Sequence, residues 1–282
     1  MNLDDEAQAY SRELHIACQL ARRAGQAIMQ HYAHDFDVEY KDRGASDPVT
    51  QADKDANALI VEGLAKAFPD DGILAEESPD SQRRASCKRL WCVDPLDGTR
   101  EFVDRNGMFV VMIGLAVEGE ARLGVVYQPT EDALYWGAGR TAALEKAGAQ
   151  HALAPSRVAR TQEATIVVSR SHRSDSIAQL IDTMEIPREE SWGSVGLKVA
   201  QVASGRADIY ISTSNRTQEW DACGPEAILR AAGGRMTDVL GDPLRYNKEN
   251  VNTPRGMLAT NGALHGECVA ALELLAKNKG WI

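Results

Sequence analysis

Between residues 108 and 136 the chain runs through Val, Ile, Leu and Tyr with two interruptions, at 118–120 and at 128–130. Apolar runs of strand length cut by turn residues predict a meander of antiparallel strands, and a sheet this apolar must be covered by other elements. The cover is legible nearby. Leu14, Ala17, Cys18, Ala21, Ala24, Gly25 and Ile28 recur at helical spacing and predict an amphipathic helix over about 5–31. A second helix is expected after Asp53, burying Ala56, Leu59, Ile60, Gly63, Leu64 and Ala67 and ending before Pro69.

Beyond residue 150 the pattern alternates: a strand at 164–169, helices at 175–184 and 195–204, and a strand at 207–211. A helix at 222–232, short strands at 236–240 and 256–259 and a closing helix at 264–277 follow. The expected class is therefore α/β of the α+β kind, in two halves. Residues 1–150 form an N-terminal α+β half and residues 151–282 a C-terminal α/β half. No repeat or low-complexity linker separates them, so they should pack as one rigid unit.

Charge narrows the function. The 282 residues hold 31 Lys plus Arg against 41 Asp plus Glu, a net charge of −10, with no basic run. Nucleic-acid polymers and anionic membrane surfaces are disfavoured as partners. The first thirty residues carry Arg12, Glu13, His15, Arg22 and Arg23, which argues against a signal-peptide core, and the longest apolar run, 108–117, is too short to span a bilayer. Five cysteines (Cys18, Cys87, Cys92, Cys223, Cys268) with no CxxC pair read as free thiols, and a cytoplasmic protein is expected.

The chemistry is concentrated in WCVDPLDGTREF, residues 91–102. An apolar strand end delivers Asp94; Pro95 fixes the backbone; Asp97, Gly98 and Thr99 turn into a helix. Two acids three residues apart at a strand terminus can converge on one cation, with the Leu96 carbonyl as a third oxygen, while Gly98 and Thr99 offer N–H groups to a phosphate. A lone DxxDGT is more often an Asx turn capping a helix. Three further acidic clusters shift that balance: residues 47–53, where Asp53 could simply cap the second helix; Glu76 and Glu77, which would ordinarily be solvated; and Glu219, Trp220 and Asp221, where Asp221 could be an N-cap before a first turn containing Pro225. Singly, each is better explained by structure than by function. Together they are what an oxygen-rich cation site requires, and the absence of His or Cys from the clusters suits Mg²⁺ or Mn²⁺ better than zinc or copper. Such an ion lets an acidic protein take a phosphorylated anion, and hydrolysis follows.

DPVTQAD (47–53), EES (76–78), DPLDGT (94–99) and WD (220–221) resemble, in order, the motifs of the lithium-sensitive, Mg²⁺-dependent phosphomonoesterases of the inositol monophosphatase superfamily. The resemblance covers nearly the whole chain and implies a layered αβαβα sandwich. It implies that Glu76, Asp94 and the Leu96 carbonyl hold a first Mg²⁺, and that Asp94, Asp97 and Asp221 hold a second, with two or three ions in all. Glu76 and Thr99, the latter oriented by Asp53, would position and deprotonate the attacking water, and Gly98 and Thr99 would cradle the phosphate. It also implies lithium inhibition, and it allows a homodimer.

Within the superfamily, Leu96, the run Arg100, Glu101 and Phe102, SRSH (169–172), GSVGLK (193–198) and WDACGPEAILRAAGG (220–234) are similar to the 3'(2'),5'-bisphosphate nucleotidases. The small substrate implied is 3'-phosphoadenosine 5'-phosphate, giving AMP and phosphate. His172, Ser194 and Lys198 are the candidate contacts to ribose, second phosphate and adenine, with Asp221 at the metal edge; a turn histidine and a solvated helix lysine are the plain alternatives. Cys223, Gly224 and Pro225 replace the small Ala-Ala-Gly of many members, and Ala75 replaces Gly or Ser. The competing readings are an inositol or other sugar monophosphatase and a metal-binding scaffold without activity. The intact acids at 53, 76, 94, 97 and 221 speak against the last.

Overall fold

The computed structural model describes residues 8–34, 37–40, 48–171 and 174–279. Helix α1 (Ser11–Tyr32), the short antiparallel pair β1 (Val38–Tyr40) and β2 (Pro48–Thr50), and helix α2 (Gln51–Ala67) come first. A seven-stranded sheet follows, made of β3 (Gly72–Ala75), β4 (Arg89–Asp97), β5 (Val110–Val117), β6 (Glu120–Gln128), β7 (Ala133–Ala138), β8 (Thr141–Lys146) and β9 (Ala149–Ala152). Its spatial order is the chain order, antiparallel throughout except for the parallel pair β3 and β4. The short helix α3 (Thr99–Val103) leaves the end of β4.

The second sheet holds β10 (Thr165–Ser169), β11 (Arg188–Trp192), β12 (Ile209–Ser212), β13 (Arg235–Thr237) and β14 (Met257–Thr260) in the order β11-β10-β12-β14-β13. Four helices accompany it: α4 (Asp175–Thr183), α5 (Val195–Ala203), α6 (Glu219–Ala232) and α7 (His265–Lys279).

Side-chain alternation sorts these elements into layers. On β5, Val111, Ile113 and Leu115 face α1 and α2, in one core with Ala17, Ala24, Ile28, Ala56 and Ile60. Val110, Met112 and Ala116 face the other way, into a core with Leu197, Val199, Ala222 and Ile228 of α5 and α6. Beyond the second sheet, Ile166, Val168, Ile209 and Ile211 pack with Ile177, Leu180, Cys268 and Leu272 of α4 and α7. The order helix, sheet, helix, sheet, helix is the expected αβαβα sandwich.

The central helix lies unusually close to the first sheet. Gly114, Gly124 and Gly137 are cross-strand partners in a row over β5, β6 and β7. A Cβ on Gly114 would stand 2.5 Å from the Gly224 nitrogen, one on Gly124 2.0 Å from the Gly224 oxygen, and one on Gly137 2.6 Å from Ile228 Cα. The three glycines form a trough that seats α6 backbone to backbone.

Both acid-bearing helices begin earlier than the sequence reading has them. Asp53 and Asp221 are not N-caps. Each is the third residue of its helix and reaches back to the cap main chain, Asp53 to Thr50 and Asp221 to Gln218, in a capping box. Pro225 consequently sits inside α6 rather than in its first turn. The polar strand β11 (sequence REESW) and the strands β8 and β9 are additions to the expected elements.

One turn past Asp221, Glu226 is buried beside the Tyr246 hydroxyl, which donates to its Oε2. Burial pushes its carboxyl from an ordinary 4.5 up to about 7. The folded chain thus keeps this proton longer than the unfolded chain does, so its stabilising share is full below about pH 4.5 and is lost as pH rises through about 7. Urea midpoints are expected to fall between pH 4.5 and 7 more steeply in the parent protein than in Glu226→Gln. Equal slopes would show that Glu226 titrates alike in both states.

Candidate active site

Residues three apart on a strand point to opposite faces, so Asp94 and Asp97 would ordinarily diverge. They do not, because β4 pairs Asp94 with Met112 but Asp97 with Val110, spending three residues against two on β5. The extra residue at Pro95 and Leu96 is a β-bulge that reverses side-chain parity and aims both acids at one cavity. Asp94 Oδ1 accepts from the Leu96 N–H at 3.0 Å, which fixes the turn from inside. Gly98 then takes φ +97, the left-handed region, before α3 begins.

Asp53 buttresses this turn from α2. Its Oδ2 accepts from the Thr50 N–H at 2.7 Å and the Thr50 hydroxyl at 2.6 Å. Its Oδ1 lies 3.0 Å from Thr99 Oγ1, which also lies 3.2 Å from the Leu96 carbonyl. Asp97 is held from the other half of the chain: its Oδ2 accepts from the Ser194 hydroxyl at 2.6 Å and the Gly196 N–H at 2.8 Å. Ser194 caps α5 through Leu197 N–H and holds φ +55, ψ 139, a conformation that costs a non-glycine residue on the order of 1–3 kcal/mol. Glu76 follows β3, with its N–H on the Val93 carbonyl at 3.1 Å, and Asp221 enters from the start of α6.

A cavity of about 580 Å³ joins these groups. Glu76, Asp94, Leu96, Asp97, Gly98, Thr99 and Asp221 line it. Ser171, Ser174, Ser212, Ser214, Thr213 and Arg216 add hydroxyls and a guanidinium to the wall, with Val168, Ile177 and Ile211 as apolar surface. Lys198 and Tyr210 also line it, the ammonium 5.3 Å from the ring centroid.

Burial raises the Asp94 carboxyl well above its usual range, and the neighbouring charges of Glu76, Asp97 and Asp221 raise it further. Burial also raises Asp53, against the bonds from Thr50 and Thr99. Burial lowers Lys198 to about 8, opposed by Asp97, Glu101 and Asp221. Carboxylates gathered in a low-dielectric pocket repel one another unless a cation joins them. The donor set is all oxygen, namely four carboxylates and the Leu96 carbonyl, which fits a hard divalent ion. Among the described residues, no three acidic, His or Cys side chains are drawn into a finished coordination shell. An entering ion would have to gather them by side-chain rotation.

Of the residues singled out by sequence, Glu76, Asp94, Leu96, Asp97, Gly98, Thr99, Ser194, Lys198 and Asp221 line this single cavity, with Asp53 directly behind Thr99. His172 and Asp47 lie outside the described residues. Glu101 is an addition. It is buried at the cavity wall and accepts from Arg170 Nε at 2.7 Å, tying α3 to the end of β10. Arg216 is another, and its sequence signal was only its place five residues before Asp221. No helix among the described residues is long and apolar enough to cross a membrane.

Residues 10–276 match the sequence profile of the inositol monophosphatase family. The chain is 39% identical over 230 residues to the 3'(2'),5'-bisphosphate nucleotidase CysQ of Salmonella typhimurium, covering 81% of this chain and 92% of that protein. It is 30% identical over 258 residues to the inositol-1-monophosphatase of Bacillus subtilis, covering 89% and 92%. Its fold superposes on the crystal structure of CysQ from Bacteroides thetaiotaomicron with a TM-score of 0.74 at 30% identity, covering 89% of this chain and 97% of the other.

Proposed function

The chain belongs to the inositol monophosphatase family, and from that premise we infer that it is a phosphoric monoester hydrolase acting as a 3'(2'),5'-bisphosphate nucleotidase. The proposed reaction takes 3'-phosphoadenosine 5'-phosphate to AMP and phosphate. The observation that carries the substrate is the 39% identity to a nucleotidase, against 30% to an inositol phosphatase. The mixed wall of the cavity supports it. Lys198 and Arg216 offer charge to a second anionic group, and Val168, Ile177 and Ile211 offer surface to a base.

The proposed cofactor is Mg²⁺, held by Glu76, Asp94 and the Leu96 carbonyl and, for a second ion, by Asp94, Asp97 and Asp221. When bound it would acidify water and neutralise charge on the phosphoryl and leaving oxygens. The remaining work falls to the chain. Thr99 Oγ1 donates its proton to Asp53 Oδ1, which leaves an oxygen lone pair to accept from the attacking water. Asp53 is suited to drawing off that proton, because burial makes it a stronger base than an exposed carboxylate. Glu76 flanks the same water. The water oxygen bonds to phosphorus as the ester P–O bond breaks, and the departing ribose oxygen takes up a proton. The N–H groups of Gly98 and Thr99 are the proposed phosphate cradle. Ser194, with its hydroxyl on Asp97, acts on the second ion's ligand in this scheme, and Lys198, His172 and Asp221 remain proposed substrate contacts.

Lithium inhibition and a cytoplasmic location belong to the same proposal. The five free cysteines suit a reducing compartment. The first measurement is Mg²⁺-dependent phosphate release from 3'-phosphoadenosine 5'-phosphate and from inositol 1-phosphate, side by side, with Asp97→Asn as the blank. Preference for the nucleotide and loss of at least about a hundredfold in the variant are expected. Preference for the inositol ester would overturn the substrate, and an active Asp97→Asn would overturn the second ion.

A further inference from the structure

Glu76 and Asp221 come from segments far apart in the chain, and a buried arginine lies between those segments. Arg84, in the short 3-10 turn Gln82–Ser86, is 5% exposed. Its Nε and Nη2 grip Asp80 at 2.6 and 2.7 Å, four residues past Glu76. Its Nη1 turns the other way and donates to the Lys248 carbonyl at 2.9 Å and to Asn247 Oδ1 at 3.1 Å. Asn247, held at φ +63, answers through Nδ2 to the carbonyls of Arg84 at 2.9 Å and Cys87 at 3.0 Å.

The same two residues close the link to α6. The N–H groups of Asn247 and Lys248 donate to the two carboxylate oxygens of Glu219 at 2.7 and 3.0 Å. Glu219 is the first residue of α6, two before Asp221, and is completely buried. Its own N–H donates to the Val251 carbonyl at 3.0 Å. A continuous set of hydrogen bonds thus runs from the loop after Glu76 through Arg84 and residues 247–248 to the helix that presents Asp221.

Stability alone is a poor explanation for this arrangement. Burying a carboxylate and a guanidinium carries a desolvation cost that apolar residues of similar volume would avoid, whereas groups that orient metal ligands are a recurring use of buried polar bonds. We propose that Glu219 and Arg84 are positioning residues that hold the helix start carrying Asp221 at a fixed spacing from the Glu76 loop, so that Asp221 joins Asp94 and Asp97 on the second divalent cation by side-chain rotation, without movement of the main chain. This rests on the cation reading of the site given above.

The test uses the full-length metal-free protein. Mn²⁺ binding is followed by the electron paramagnetic resonance of the free ion, and thermal midpoints are taken in chelator. kcat and KM are measured against Mg²⁺. Glu219→Gln offers one acceptor where two N–H groups point; it is expected to weaken the lower-affinity Mn²⁺ class by about tenfold. The Mg²⁺ concentration for half-maximal activity should move by the same factor, while kcat and KM at saturating Mg²⁺ stay within about twofold. Asn247→Gly keeps the backbone bonds to Glu219 and tolerates the positive φ but removes the three side-chain bonds to Arg84 and Cys87, leaving only the Arg84 bond to the Lys248 carbonyl. It should shift the isotherm in the same direction by less, and it decides the matter if Glu219→Gln does not fold. Ile228→Val, a core change on the same helix, should lower the thermal midpoint and leave the isotherm in place. Lower midpoints with an unmoved isotherm in Glu219→Gln and Asn247→Gly would overturn the proposal. Absence of Mn²⁺ binding in the parent protein would overturn the cation reading itself, and the proposal with it.

Discussion

Replacing Asp94 by asparagine is expected to cut phosphate release by about a thousandfold and, at the same time, to stabilise the metal-free protein at neutral pH. The two effects share one cause. Asp94 is buried against Glu76, Asp97 and Asp221, all of which raise its carboxyl alongside burial. In the unfolded chain that carboxyl is ionised and hydrated at pH 7; on folding without a cation it must enter the pocket as a repelled charge or carry a proton. An asparagine keeps an acceptor for the Leu96 N–H and removes the charge. The gain should be about 1–2 kcal/mol in chelator, a size common where a functional residue is traded for stability. The sign follows from linkage: a carboxyl raised in the folded state withdraws stability as pH climbs past its unfolded value, and asparagine does not. In saturating Mg²⁺ the order should invert, because only the parent chain gains binding energy from the ion. Urea unfolding of both proteins in chelator and in Mg²⁺ checks this, and an asparagine variant less stable in chelator would sink the repulsion argument.

Gly124→Ala should be severely destabilising for a single added methyl. Its Cβ would stand 2.0 Å from the Gly224 carbonyl oxygen and 2.7 Å from the carbonyl carbon. Both atoms are main chain, so no rotamer change relieves the contact; β6 or α6 must move. Overpacking of this kind costs about 3 kcal/mol, a fall of roughly 6–12 °C in thermal midpoint for a chain of this size. Activity should suffer beyond the loss of folded protein, since α6 brings Asp221 to the cavity. Gly266→Ala makes the matched comparison, because nothing lies within 4 Å of its Cβ. A thermal midpoint within 1–2 °C of the parent in Gly124→Ala would mean that the helix slides along its trough without resistance.

How much of this was legible in the sequence depends on what each feature needs for its definition. Strands β5 to β7 are readable because both of their faces are buried, which leaves long apolar runs between turns. Strand β11 is exposed along nearly all its length, so burial imposes no pattern on Arg188, Glu189 and Glu190. The acids of the candidate site stand in compact motifs and are readable as a group. Their convergence is not, since the parity of Asp94 and Asp97 turns on a one-residue slip against β5 that only the pairing register defines. The glycine trough has the same limit: Gly114, Gly124 and Gly137 form a row only once three strands are aligned. Arg84 stands far along the chain from Glu219 and Asn247, which are themselves 28 residues apart, and nothing in the local sequence of any one of them points to the other two. Helix starts lie earlier than the acids suggest because Asp53 and Asp221 serve as the far side of a capping box, with Thr50 and Gln218 as the caps.

The trough also orders events in time. Synthesis delivers α1 and α2 before the first sheet, so one face of that sheet finds its cover at once. The other face waits for α5 and α6, and its furrow of glycines stays empty until the ribosome has passed residue 232 and α6 can be laid in. The helix that closes the central core is the one that brings Asp221. A nascent or nicked chain lacking that segment has an open core and an incomplete set of acids together, so competence for chemistry doubles as a certificate that the central core has closed.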